Sequence, residues 1–215
     1  TVGGVVLNSP VGGANPDAVS VAAALGGRVV WMPTISAPAH IAGQASSALN
    51  VHRNLAFSPV PVSEGGQLRP EWLPVLDVVA EHDLVLGSGH VSMDEAVALF
   101  RAASARGIER LLVNHPLLPF LGWRDEHAEL FRALGARLEI GVVADHLAET
   151  EISSTEYLAS RYPAELMVFG SDLGHQTFPD YRSGVLGWVE RMEPVFGAGQ
   201  LEDIMPKHGR ELLGR

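Results

Sequence analysis

The strongest constraint on this chain is an alternation. Six short apolar runs of β type recur along its 215 residues, and segments of helical pattern lie between them. The runs are 4–8 (GVVLN), 28–34 (RVVWMPT), 84–90 (LVLGSGH), 110–115 (RLLVNH), 138–143 (LEIGVV) and 166–172 (LMVFGSD). Near-continuous apolar runs of this length belong to strands covered on both faces. Strands that alternate with helices imply a parallel sheet, either open or closed into a barrel.

The helices carry their own signals. Asn15 before Pro16 reads as an N-cap with proline at the first helical position, opening a helix over 16–25. Ser92 with Glu95 forms a capping box ahead of EAVALFRAASARG, and Gly107 marks that helix's stop. Ser153 with Glu156 repeats the box. Stretches 70–82, 125–134, 182–192 and 201–213 also read as helical. Strand starts near 84, 110, 138 and 166 are 26–28 residues apart, the size of one βαβ step. The interval from 28 to 84 is twice as long. It holds a polar, Pro- and Ala-rich loop over 35–50 and a hairpin at Glu64-Gly65-Gly66. A loop this long in a compact domain is usually functional.

Composition removes several classes. Lys plus Arg is 15 against 25 for Asp plus Glu, a formal charge of −10, and the only lysine is Lys207. No basic block exists, so a nucleic-acid footprint is not expected. The absence of Cys rules out disulfides, thiolate metal sites and Cys nucleophiles, and fits a cytoplasmic protein. No apolar run reaches the roughly 18 residues of a membrane span. The partner expected is a small-molecule substrate, with a homo-oligomer compatible with the sequence.

The strand ends hold the polar residues. Asn8 ends the first run, His90 the third, His115 the fourth and Asp172 the sixth; Asp145 and His146 follow the fifth, and His175 lies just past Asp172. In a parallel α/β fold these ends share one face, where active sites gather. For one histidine at a strand end, a structural hydrogen-bonding role is the ordinary reading. His82, His127 and His208 fall in helical stretches and read as surface or packing residues, and His52 has no motif. Two His and an Asp at the ends of three such strands instead supply nitrogen and carboxylate ligands converging on one divalent ion, with zinc expected and manganese as the alternative. Glycines beside His90 and Asp172 allow close backbone approach, and Pro116 keeps His115 out of helical geometry. There is no G-x-G-x-x-G, Walker, H-E-x-x-H or G-x-S-x-G motif.

The ends GSGH (87–90), NHP (114–116) and GSDLG (170–174), in that order, resemble the last strands of amidohydrolase-superfamily metal-dependent hydrolases. PKHGRELLGR (206–215) is similar to their closing segment. VVLNSPVGGANPDAV, VVWMPT and AEHDLVLGSGHVS look more narrowly like a family of TIM-barrel hydrolases of unknown substrate. The resemblance implies a (β/α)8 TIM-barrel-like fold with about six βα units here. It implies that His90 and His115 are metal ligands and that Asp172 is a ligand or the general base. The implied reaction is hydrolysis of an amide, lactam, lactone or related bond of a small organic substrate by metal-activated water. His40, His146 and His175 are candidate substrate-binding residues.

Two departures qualify the resemblance. The superfamily's first strand carries His-x-His, and none occurs in 1–215. The expectation is therefore one barrel domain over 1–215, equivalent to strands three to eight and preceded in the native protein by an N-terminal segment. Its fourth strand often ends in a carboxylated Lys that bridges two metals. Trp31–Thr34 (WMPT) offers none, so a lysine-bridged binuclear site is not expected. A catalytically silent barrel that binds a small molecule or partner is the alternative, as is a metal-dependent lyase or decarboxylase on the same scaffold.

Overall fold

The computed structural model describes residues 2–44, 56–147, 154–176 and 178–214. All six apolar runs form strands, each shorter than its run: β1 (Gly4–Val6), β2 (Val29–Trp31), β5 (Val85–Gly87), β6 (Leu111–Val113), β7 (Arg137–Ile140) and β8 (Met167–Phe169). They make one parallel sheet in the order β1-β2-β5-β6-β7-β8, so neighbouring strands follow one another along the chain. The expected hairpin is β3 (Ser63–Glu64) paired antiparallel with β4 (Gln67–Leu68). Gly65 and Gly66 supply the two positive φ angles, +57° and +75°, that a tight two-residue turn needs.

The result is a mixed α/β fold of TIM-barrel type. Among the described residues no ladder joins β1 to β8, so these two strands are the sheet's edges. Strand residues alternate between two apolar clusters. Val30, Leu86, Leu111, Val113, Leu138 and Met167 face the helices in the main core. Val29, Val85, Leu112 and Val168 face the opposite way and pack with Leu212 and Leu213. Burial on both faces is what the near-continuous apolar runs require.

The helices follow their caps. The Asn15 side chain accepts from Ala18 N at 3.1 Å and opens α1 (Pro16–Ala24). Helix α2 (Pro38–Gln44) occupies part of what sequence reads as a loop over 35–50. Its PAHIAGQ segment is only seven residues long, too short to show a helical period. After a 3₁₀ turn at Pro70–Trp72 comes α3 (Leu73–Glu81). Helix α4 (Met93–Ser104) has the complete capping box, and α5 (Asp125–Ala133) follows β6.

One span needs correction. The run 138–143 stops being strand at Ile140, because Gly141 (φ +156°) breaks it and α6 (Val142–His146) begins. The stretches 182–192 and 201–213 are helical as expected, and Gly197, whose backbone is not helical (φ +73°, ψ +158°), kinks the chain between them. Helix α8 (Tyr181–Glu202) spans both sides of this kink, and a π-helical turn (Asp203–Lys207) leads into α9 (His208–Leu212). The second capping box needs Ser153, which lies outside the described residues, as does His52; α7 (Ser154–Ala159) begins one residue later.

Two histidines are structural, as expected. His127 is fully buried; its Nδ1 accepts from Arg124 N at 2.8 Å, which leaves Nε2–H to donate to Asp94 at 3.2 Å. His208 Nδ1 donates to the carbonyl of Met167 at 2.9 Å and ties α9 to β8.

Glu95 has two tasks. Its Oε2 accepts from Ser92 N at 3.2 Å, and its Oε1 accepts from Val62 N at 3.1 Å, holding the segment before the hairpin. Ser92→Ala removes a cap and should cost about 1 kcal/mol. Glu95→Ala also orphans the amide of Val62, a fully buried residue, and should cost about 2–3 kcal/mol. Urea denaturation of both variants checks the order; equal losses would show that the Val62 contact is idle.

Candidate active site

The C-terminal ends of the strands are linked by polar contacts. The Asn8 side chain donates to Thr34 Oγ1 at 2.9 Å, and its Oδ1 accepts from the amides of Thr34 and Ser36 at 2.9 and 3.0 Å. This fixes the chain leading into α2. The His90 amide donates to Pro33 O at 2.9 Å. Gly89 (φ +59°) makes that approach possible, because a Cβ there would lie 2.3 Å from Met32 O. The buried Ser88 hydroxyl accepts from Asn114 N at 2.9 Å, so this serine holds β5 to β6.

Asn114 continues the chain. Its Oδ1 accepts from Gly89 N at 3.0 Å, and its Nδ2 donates to Glu139 Oε2 at 2.5 Å. Glu139 sits on the inner face of β7, against Gly170 at the end of β8. A Cβ at residue 170 would fall 1.9 Å from Glu139 Oε1, so a side chain there would displace this carboxylate.

Over this layer opens a cavity of about 730 Å³. All six candidate residues, His40, His90, His115, His146, Asp172 and His175, line it, which places five of the chain's nine histidines around one space. His115 and Asp172 have left-handed backbones, φ +43° and +50°. Such conformations in non-glycine residues cost free energy of order 1–3 kcal/mol and cluster at functional sites. At His115 the effect is specific. Regular strand alternation would point residues 114 and 115 to opposite faces, yet both line the cavity. His115 is thus kept out of helical geometry, as its place before Pro116 predicts, but in the left-handed region rather than the extended one.

His40 projects from α2. Its Nδ1 is 2.8 Å from Nδ1 of His90, and the two rings stack with centroids 4.9 Å apart. Phe120 packs edge-on against both. The His90 and His115 ring centroids are 5.7 Å apart. His115 Nε2 lies 3.5 Å from Asp172 Oδ2, and its Nδ1 lies 3.8 Å from Glu139 Oε2. His146 and His175 each pack edge-on against Phe178 on the other wall.

The donor atoms suit a divalent cation in kind. Two ligands of one tetrahedral ion, each about 2.0–2.2 Å from it, stand roughly 3.3–3.6 Å apart. The 3.5 Å between His115 Nε2 and Asp172 Oδ2 has that spacing and is long for a hydrogen bond. The expected three-point convergence is not formed: among the described residues, no three His, Cys, Asp or Glu stand close enough to hold an ion. His90 shares the cavity, but its Nδ1 is engaged by His40.

Asp145 turns away from the cavity. It accepts from Thr155 N and Trp188 Nε1, both at 2.8 Å, and so binds α6 to α7 and α8. Burial pushes its carboxyl above the usual aspartate range, against the pull of these hydrogen bonds. Sequence reasoning does not single out Glu139 or Asn114 as site residues. The available signal was an acidic residue at an inward position of an apolar strand.

The profile of a family described as "Family of unknown function (DUF6282)" matches residues 1–139. No curated protein matches the chain. Among solved structures, a metallo peptidase from Rhodobacter sphaeroides, liganded with a phosphinate mimic of the dipeptide L-Ala-D-Ala, is similar at 14% identity and TM-score 0.65. The match covers 94% of this chain and 60% of that one, so this chain spans under two thirds of the peptidase's length. A probable 2-pyrone-4,6-dicarboxylic acid hydrolase from Acinetobacter baumannii, with citric acid bound, is similar at 13% identity and TM-score 0.58, over 94% of this chain and 69% of that one. At these identities the likeness is one of fold.

The raised Asp145 pKa carries a pH dependence. A carboxyl raised on folding adds stability below the ordinary aspartate value of about 4, and that contribution is lost as pH rises through the folded pKa. The melting-temperature gap between Asp145→Asn and the parent should therefore move in the variant's favour from pH 4 to pH 7, whatever its constant offset. A gap independent of pH would refute the raised pKa.

Proposed function

This chain belongs to the family of unknown function DUF6282, and we propose that it is a metal-dependent hydrolase of amidohydrolase type. The observation that carries the reading is the His115–Asp172 pair, spaced as two ligands of one ion beside three further histidines and His90 in a single cavity. The similarity in fold to a metallo peptidase and a hydrolase supports it.

His115 and Asp172 would hold the ion, with His90 as third donor once its imidazole swings off His40. A cation held there, zinc or alternatively manganese, would polarise a substrate carbonyl or phosphoryl group and lower the pKa of a water. Asp172 is about half exposed to the cavity and accepts the proton of the attacking water, then returns it to the leaving group. His40, His146 and His175 contact the substrate from the walls. Phe120, Leu118 and Phe178 make those walls apolar, which strengthens polar contacts inside. The substrate class proposed is a small molecule with an amide, lactam, lactone or related bond, handled in the cytoplasm.

One observation favours binding without turnover: the described residues do not bring three ligands together. Elemental analysis after chelator-free purification, followed by titration with Zn²⁺ and Mn²⁺, tests the metal. About one ion per chain is expected. His90→Ala and Asp172→Asn should each weaken binding at least tenfold and abolish hydrolysis of a dipeptide and lactone panel. A chain that contains no metal and binds none overturns the reading. Metal binding with no turnover across the panel favours the silent barrel.

A further inference from the structure

We infer that Glu139 is the positioning residue of this site: its carboxylate orients the His115 imidazole from the Nδ1 side and, through Asn114, fixes the turn that carries His90. The orientation follows from contacts within the chain alone. Its consequence for metal binding rests on the function proposed above.

Three observations converge on this one side chain. Oε2 takes a short hydrogen bond from Asn114 Nδ2, and Asn114 in turn accepts the Gly89 amide beside His90. The same Oε2 is 3.8 Å from His115 Nδ1. That gap exceeds a hydrogen bond, and an imidazole shift of about 1 Å closes it. Finally, Gly170 leaves Oε1 room, and a side chain there would push the carboxylate from its place. The side chain of Glu139 is only 14% exposed. A carboxylate held this far from water is costly unless it is paired, so its presence on an inner strand position calls for such contacts.

The chemical logic lies in the two ring nitrogens. In a neutral imidazole one nitrogen carries the proton and the other offers a lone pair. Carboxylates flank both nitrogens, and Glu139 on the Nδ1 side, far less exposed than Asp172, is the less screened by water and keeps the proton there. Nε2, 3.5 Å from Asp172, is then the lone-pair nitrogen and faces the cavity. Acceptors placed behind ligand histidines in this way typically change metal affinity 10–100-fold when removed.

The test is nitrogen NMR of ¹⁵N-histidine-labelled protein at pH 8, where neutral imidazoles dominate, with His115 assigned by loss of its signal in His115→Asn. The parent protein should show His115 as the Nδ1–H tautomer. Glu139→Ala should shift it toward Nε2–H and weaken Zn²⁺ binding 10–100-fold. Glu139→Gln should keep the Nδ1–H form, because its amide oxygen can occupy the place of Oε2. A purely structural Glu139 would lower the melting temperature and leave the tautomer unchanged. An Nε2–H tautomer in the parent protein overturns the inference without any variant, so failure of Glu139→Ala to fold does not protect it. A folded Glu139→Ala with unchanged tautomer overturns it as well. A parent protein that binds no Zn²⁺ defeats the metal reading, while the tautomer still decides the role of Glu139.

Discussion

The hydrogen bond between Asn114 and Glu139 ties together what the rest of the site depends on. It joins β6 to β7, Asn114 also holds the Gly89 amide after β5, and Glu139 presses on Gly170 after β8. Four strand ends meet in one polar layer above the apolar cluster of Val29, Val85, Leu112 and Val168. A hydrogen bond to a carboxylate is stronger than a neutral one, and more so away from water. His90, His115 and Asp172 follow strand ends that this layer ties to one another. They are therefore not carried by independent loops.

The polar residues at the strand ends divide into two groups that look alike in sequence. Asn8, Ser88 and Asp145 face backbone amides or an indole and bind neighbouring segments together. His90, His115, Asp172 and His146 face the cavity. Asp145 and His146 are adjacent, and the helical start at Val142 sends one inward to Trp188 and the other to the cavity. Likewise, the left-handed backbone at His115 turns it to the same side as Asn114. Burying Asp145 and straining His115 both oppose folding. The Asp145 cost is offset by its two hydrogen bonds, whereas the His115 backbone is held by the ladder on one side and Pro116 on the other.

Much of this was legible in the sequence, and the limits are physical. Apolar runs bounded by Gly, Asn and Pro locate all six strands, because burial on both faces favours apolar residues along them. Caps at Asn15 and Ser92 are visible because their hydrogen bonds are local, as is the Gly65-Gly66 turn. Strand-end chemistry at His90, His115 and Asp172 is readable because a parallel sheet gathers those ends on one face. Helix α2 and the early end of β7 are not, since both depend on what they pack against. Glu139 is hidden for the same reason: an isolated Glu in RLEIGVV reads as an exposed strand residue until the inner face is known to be closed.

The opposite ends of the strands show a division of labour. Arg28, Arg110 and Arg137 sit at the N-terminal ends of β2, β6 and β7 and donate to the last carbonyls of the chain: Leu213 O at 3.3 Å, Glu211 O and Leu212 O at 3.0 Å, and His208 O at 3.1 Å. Glu211, Leu212 and Leu213 lie in the last turn of α9 and its cap, where the partial negative charge of the carbonyls attracts guanidinium groups. The contacts seat Leu212 and Leu213 against the inner face of the sheet, beneath Val29, Val85, Leu112 and Val168. Arginines are thus gathered at this end, Arg110 paired with Asp83 and Arg137 with Glu211, while imidazoles are gathered at the cavity end. In a barrel-type fold the first end secures stability and the second carries chemistry. The apolar layer between them keeps the arginines away from the site's carboxylates, so Asp172 and Glu139 can serve the cavity without being neutralised by them.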